Sequence, residues 1–267
     1  MIRQPLAVRL DPDAPLREQI RQAATLGAKA VVLEATGDIH PDRLSETGRR
    51  EVRHLLASVG LGLAALHLPT RRGFDSLDGL EERVARADRA FALAFELGTR
   101  MVLARVGTVP DGPATEGAPI PLPLAAFREG VGSLARKSDH RGMRLALETG
   151  TESGATLRGF LEDFGQPTLG ASLDPATLLA RGFDPPATAR ALGPWVIHAY
   201  ANDPESGSRA NKIATPRGLF ANPGALDWIE YLGAFEEINY IGPLTAWPEA
   251  GRMGEDLPKL IERFRQY

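Results

Sequence analysis

Cysteine is absent from the 267 residues, and histidine occurs only five times. The first absence excludes disulfides, thiolate metal sites, iron–sulfur clusters and a cysteine nucleophile. The second excludes a metal cluster built from many imidazoles. Lysine is scarce as well, four against 27 arginines. That skew reads as genome composition, and it makes each lysine individually noticeable, Lys212 in particular. An excess of one charge sign is also missing: 34 acidic and 31 basic residues leave a net charge of -3, without the footprint of a nucleic-acid binder. Long apolar runs are lacking too, since no stretch approaches the ~20 residues of a spanning helix. The opening segment, MIRQPLAVRLDPD, holds no apolar core of a signal peptide. The expectation is a cytoplasmic protein with no membrane or nucleic-acid partner.

What is present is a regular alternation. Short, near-continuous apolar runs occur at Leu6–Leu10, Ala30–Glu34, Leu63–His67, Met101–Val106, Arg144–Glu148, Leu169–Asp174, Val196–Ala201 and Gly242–Trp247. Such runs suit parallel strands covered on both faces. Helical stretches fit between them. Pro15 stands at a first helical position, with Leu16, Ile20 and Ala24 on one face and Gly27 as a stop. Asp78 and Glu81 read as a capping box, followed by a stripe of Leu80, Val84, Ala87, Phe91 and Phe95. Leu226, Ile229, Leu232 and Phe235 suit another helix, and Leu257, Leu260, Ile261 and Phe264 the last. Pro- and Gly-rich stretches at 107–123 and 202–224 read as long loops.

Eight strands each followed by a helix in this length is the arithmetic of a single α/β domain over residues 1–267, a (β/α)8 TIM barrel. An open doubly wound sheet shares the local pattern, but no glycine-rich phosphate turn follows the first strand and no Walker motif occurs.

A barrel carries its site at the C-terminal ends of its strands. The polar residues that end the apolar runs are Arg9 and Asp11, Glu34, His67, Arg105, Glu148, Asp174, then His198, Tyr200, Asn202 and Asp203, and finally Thr245, Trp247 and Glu249. They converge on one rim. Other readings stand beside the functional one. Asp174 before Pro175 has the setting of a helix cap, and His67 and His198 can each be core imidazoles. His40, His54 and His140 take no role. Trp247 is placed to form an aromatic wall for a sugar face.

The segments LREQIRQAATLGAKAVVLEA, LAALHLPT, MRLALETG, LGASLDPATLLARGFDP, VIHAYANDP and NYIGPLTAW, in this order, resemble the xylose isomerase-like TIM barrels, the sugar phosphate isomerase/epimerase group. The resemblance covers essentially the whole chain. It implies a divalent metal, Mn, Mg or Zn, bound by four side chains, and proton transfer by a pair of glutamates. Of those ligands it leaves Glu148 and Asp174. The metal-binding His of the H-x-H-x-K-D segment is Tyr200, its Lys is Asn202, and the final Glu aligns with Trp247. The D-x-x-H of strand six becomes Asp174 and Thr177. A neutral phenol is a poor donor, and an indole has none to offer. Glu249 lies two residues beyond Trp247, with Pro248 between.

Two expectations follow. One is a sugar or sugar-derivative isomerase/epimerase with a degenerate metal site. In it Glu148 is the base, Asp174, His67 and His198 orient, and Lys212, Arg209 or His67 stabilises an enolate. The other is a non-catalytic protein on the same fold that holds a small polyol or sugar acid. In both, Glu34, Arg105, Tyr200, Lys212, Trp247 and Glu249 line the ligand site. DNA repair, known in the same superfamily, would need more histidine ligands and a basic face.

Overall fold

The computed structural model describes residues 4–110, 119–203 and 226–266. Eight parallel strands close in sequence order: β1 (Leu6–Arg9), β2 (Ala30–Glu34), β3 (Gly62–Leu68), β4 (Met101–Ala104), β5 (Arg144–Glu148), β6 (Leu169–Leu173), β7 (Val196–Tyr200) and β8 (Leu244–Ala246), with β1 pairing β8. Around them among the described residues lie α1 (Leu16–Thr25), α2 (Glu46–Ser58), α3 (Leu80–Leu97), α4 (Leu122–His140), α5 (Gly154–Phe164), α6 (Pro175–Ala180), α7 (Pro185–Leu192), α8 (Trp228–Glu237) and α9 (Met253–Arg265). This is the (β/α)8 barrel that the alternating pattern predicts. No helix among the described residues is long and apolar enough to cross a membrane.

The two faces of each strand do different work, because successive side chains alternate. Outward residues such as Val8, Val31, Leu33, Leu66, Val102, Leu145, Leu147 and Leu173 pack against the helices in one large core. Inward residues form a smaller cluster of Val32, Ala65, Leu103, Ala146, Ile197, Tyr200 and Trp247. Four of these, Val32, Ala65, Ala146 and Ile197, are small or β-branched, and long polar side chains lie further up.

Several local expectations need correction. Pro15 is the residue before α1, not inside it; its ψ of 112° is extended. Asp78 and Glu81 form no capping box. The residue before α3 is Gly79 in the left-handed region, and the Asp78 carboxylate pairs with Arg72 instead. Phe95 leaves the α3 stripe: it is 48% exposed and lies under the Arg100 guanidinium. Ile229 is 66% exposed, because the buried face of α8 runs through Trp228, Tyr231, Leu232 and Phe235. In each case the helical period holds, and the phase is set by what the helix packs against.

Candidate functional site

The C-terminal rim of the barrel carries one polar or aromatic side chain per strand. Each stands two residues beyond an inward-facing residue of the same strand. The layer below contains Ala7, Val32, Ala65, Leu103, Ala146, Ser172, His198 and Thr245; the rim contains Arg9, Glu34, His67, Arg105, Glu148, Asp174, Tyr200 and Trp247. Strand register brings the rim residues level, with Glu34 beside His67 on β2 and β3.

Arg9 is the centre of this ring. Only 3% exposed, it donates from Nη1 to the Tyr200 hydroxyl (2.9 Å) and from Nη2 to Glu34 Oε2 (3.1 Å) and to His67 Nδ1 (2.8 Å). Nη1 also lies 3.6 Å from Glu148 Oε1, and the guanidinium carbon stacks 3.7 Å from the Trp247 ring centroid. A guanidinium has only donors, so His67 Nδ1 must accept. The proton of the neutral ring is then on Nε2, which faces Glu148 Oε1 at 3.5 Å. Burial, then the Arg9 charge, holds the His67 pKa below its ordinary value, in keeping with that tautomer.

Tyr200 works in both directions: its hydroxyl accepts from Arg9 and donates to Glu148 Oε1 (3.1 Å). Burial pushes its pKa well up, so it remains a phenol. Burial pushes Glu148 up as well. His67, Arg9 and Arg105 more than offset this, and the carboxyl lies far below its usual range. Glu148 is therefore a fully ionised, heavily solvated-by-protein carboxylate.

Asp174 stands at the residue before α6, yet its side chain serves no helix amide; Oδ2 accepts from the Thr177 hydroxyl at 2.6 Å. Its Oδ1 is buried with no hydrogen-bond partner among the described residues, and burial raises its pKa. Gly150 permits this packing: its φ is +109°, and a Cβ there would lie 2.2 Å from Thr177 Cγ2. Asn202 accepts from the Trp247 backbone N–H (2.9 Å) and so anchors the end of β8. Glu249 pairs with Arg252 at 3.7 Å and lines a cavity of about 160 Å³ that also reaches Arg9, Asp11, Glu18 and Gln19.

His198 occupies the layer below. Fully buried, it bridges Ser172 Oγ (2.7 Å) and Thr245 Oγ1 (2.8 Å), with its ring edge-on to Tyr200 at 4.8 Å. It supports the ring from beneath. Burial lowers its pKa to about 3. An imidazole neutral when folded and ordinary when unfolded contributes stability above pH ~6.5 that is lost as pH falls toward the folded value. The expected acid limb therefore begins near pH 6.5. In urea titrations at a series of pH values, His198→Gln should remove up to ~1.4 kcal/mol per pH unit of that slope. An unchanged slope would show that His198 is not held neutral.

The sequence-derived site residues Glu34, His67, Arg105, Glu148, Asp174, Tyr200 and Trp247 thus meet in one ring, with His198 below and Glu249 beside it. Lys212 and Arg209 lie outside the described residues. Arg9 was visible in sequence only as a strand-end residue. The signal for it is a charged residue inside the apolar run LAVRL, two positions beyond an inward alanine.

The family model for xylose isomerase-like TIM barrels matches residues 20–267. The chain belongs to this family. Among solved structures it is similar to a xylose isomerase domain protein from Planctomyces limnophilus, with a TM-score of 0.75, 22% identity and coverage of 98% of this chain and 95% of that one. It is also similar to a D-allulose 3-epimerase from Methylomonas sp. crystallised with D-allulose (TM-score 0.75, 16% identity, 100% and 98% covered). A third is the probable 3-DHS dehydratase AsbF from Bacillus anthracis (TM-score 0.72, 15% identity, 98% of each chain). At these identities the likeness is one of fold. No curated protein matches significantly by sequence.

Proposed function

We propose that this family member is a sugar isomerase- or epimerase-like protein whose divalent-metal site is degenerate and whose barrel mouth binds a small polyol, sugar or sugar acid. The observation that carries this reading is the closed polar ring at the strand ends: several acceptors and donors of fixed geometry around an aromatic, as recognition of a polyhydroxylated ligand requires. Two structural neighbours, a D-allulose 3-epimerase in complex with D-allulose and a D-psicose 3-epimerase in the presence of D-fructose, support the substrate class.

The donor set does not fit the metal that the fold implies. Glu148 and Asp174 remain, but Tyr200 is a neutral phenol and Trp247 stacks on a cation instead of ligating one. Among the described residues no group of three or more His, Asp or Glu is placed to hold a metal ion.

The ring favours holding over proton transfer. Glu148 already accepts from Tyr200 and faces His67 and Arg9, and a carboxylate so stabilised is a weak base. Trp247 stands at the strand end where the resemblance places the second glutamate. A one-base reaction at Glu148 is the second reading, favoured by the survival of Glu148, His67 and Tyr200 as one hydrogen-bonded unit.

Calorimetry with a panel of ketoses, polyols and sugar acids, with and without phosphate, tests the first reading. Saturable binding is expected, and Glu148→Gln should weaken it ~10–100-fold, the worth of a hydrogen bond to a charged group. No binding by any member would overturn it. Solvent deuterium exchange into a bound ketose, present in wild type and lost in Glu148→Gln, would establish the one-base reaction.

A further inference from the structure

We infer that the Arg9 guanidinium is the fixed cation of this site and takes the place of a divalent metal. Three observations carry it. First, the guanidinium meets three of the four positions of the implied metal set, Tyr200 at 2.9 Å, Glu148 at 3.6 Å and the Trp247 ring at 3.7 Å, and it also binds Glu34 and His67 at 3.1 and 2.8 Å. Those acceptors are taken, and a second cation among them would face like-charge repulsion in a desolvated setting.

Second, the departures from the family pattern fit one another around Arg9. Trp247 offers its ring face to the guanidinium at 3.7 Å, a contact that depends on the residue at this strand end being aromatic. Asn202 holds the Trp247 backbone in place. Tyr200 offers Arg9 a lone pair and Glu148 a proton, which joins the cation to the buried carboxylate. Thr177 satisfies one oxygen of the Asp174 carboxylate, which Arg9 does not reach. Around Glu148, at least, the ion's charge is replaced by a guanidinium.

Third, the side chain is committed. Its Nη atoms are engaged by protein acceptors, and its Nε is buried with no partner among the described residues. Arg9 therefore does not grasp a ligand anion in a fork. It is a positioning residue that holds Glu34, His67, Glu148 and Tyr200 in the arrangement the ligand meets. This inference concerns the cation and stands apart from which sugar the cavity takes.

Mn²⁺ is the probe, followed by the paramagnetic resonance signal of the free aquo ion and by thermal shift, neither of which requires turnover. Wild-type protein should leave the aquo signal undiminished at stoichiometric Mn²⁺. The double variant Tyr200→His/Trp247→Glu, which supplies the two missing ligand types but keeps Arg9, should bind poorly. Adding Arg9→Ala should tighten Mn²⁺ binding ~100-fold or more, since even an indirect supporting group is worth ~10–100-fold in metal affinity. Stoichiometric Mn²⁺ uptake by wild type, or equal affinity of the double and triple variants, overturns the inference. The wild-type measurement decides even if the triple variant does not fold. Sugar binding is read separately by calorimetry, so failure here leaves that proposal standing.

Discussion

Arg9→Met should lower the unfolding free energy at pH 7 by ~3–5 kcal/mol, the loss typical when one partner of a buried ion pair is removed. The cause is what remains. Glu148 is 9% exposed and keeps the Tyr200 hydrogen bond and His67 Nε2 at 3.5 Å; of its two permanent counter-charges, Arg9 and Arg105, the first is gone. The pH dependence identifies this cause. In wild type the depressed Glu148 carboxyl contributes stability that is present above the unfolded value of ~4.3 and is lost as pH falls below it. In the variant, burial is opposed by much less, so the carboxyl moves upward and its ionisation no longer stabilises the fold. The difference between wild type and variant should therefore be largest near pH 7 and shrink toward pH 4. Urea unfolding at pH 7, 5.5 and 4 measures it. A difference independent of pH would mean that Arg9 contributes through its alkyl stem and not through its charge.

Trp247→Ala is expected to cost a similar ~3–5 kcal/mol, the usual range for truncating a buried large aromatic. Trp247 is 7% exposed and packs on Tyr200 with centroids 5.9 Å apart, while its ring covers the Arg9 guanidinium. Removal admits water onto a charge that the protein now shields. The two substitutions share a contact and should not add. The double variant Arg9→Met/Trp247→Ala should be more stable than the sum predicts by ~0.5–2 kcal/mol, the range for a cation over an indole. Strict additivity in the double-mutant cycle would show that the stacking carries no energy. Trp247→Phe keeps a ring face and should retain part of the coupling.

Much of the architecture is legible in the chain itself. Eight apolar runs separated by helical periods specify strands and their order, because parallel strands buried on both faces cannot alternate polar and apolar residues. The rim is legible for a related reason. A polar residue that ends such a run, as in Glu34, His67, Glu148 and Asp174, has nowhere to point but the barrel mouth. Local capping at Asp78 is not legible in the same way, since a left-handed Gly79 precedes the helix and the Asp78 carboxylate pairs with Arg72.

The sequence by itself determined the eightfold alternation, the membership of the rim and the loss of two metal-ligating side-chain types. Only the tertiary structure decided what replaced them. Arg9 is one of 27 arginines, and in so arginine-rich a chain its identity carries little information. Its role follows from the pairing of β1 with β2 and β8, which aims position 9 inward, and from barrel closure, which brings residues 34, 67, 148, 200 and 247 around it. Those contacts span up to 191 residues for a hydrogen bond to Arg9. No local pattern encodes that distance; it exists only once the last strand has closed against the first.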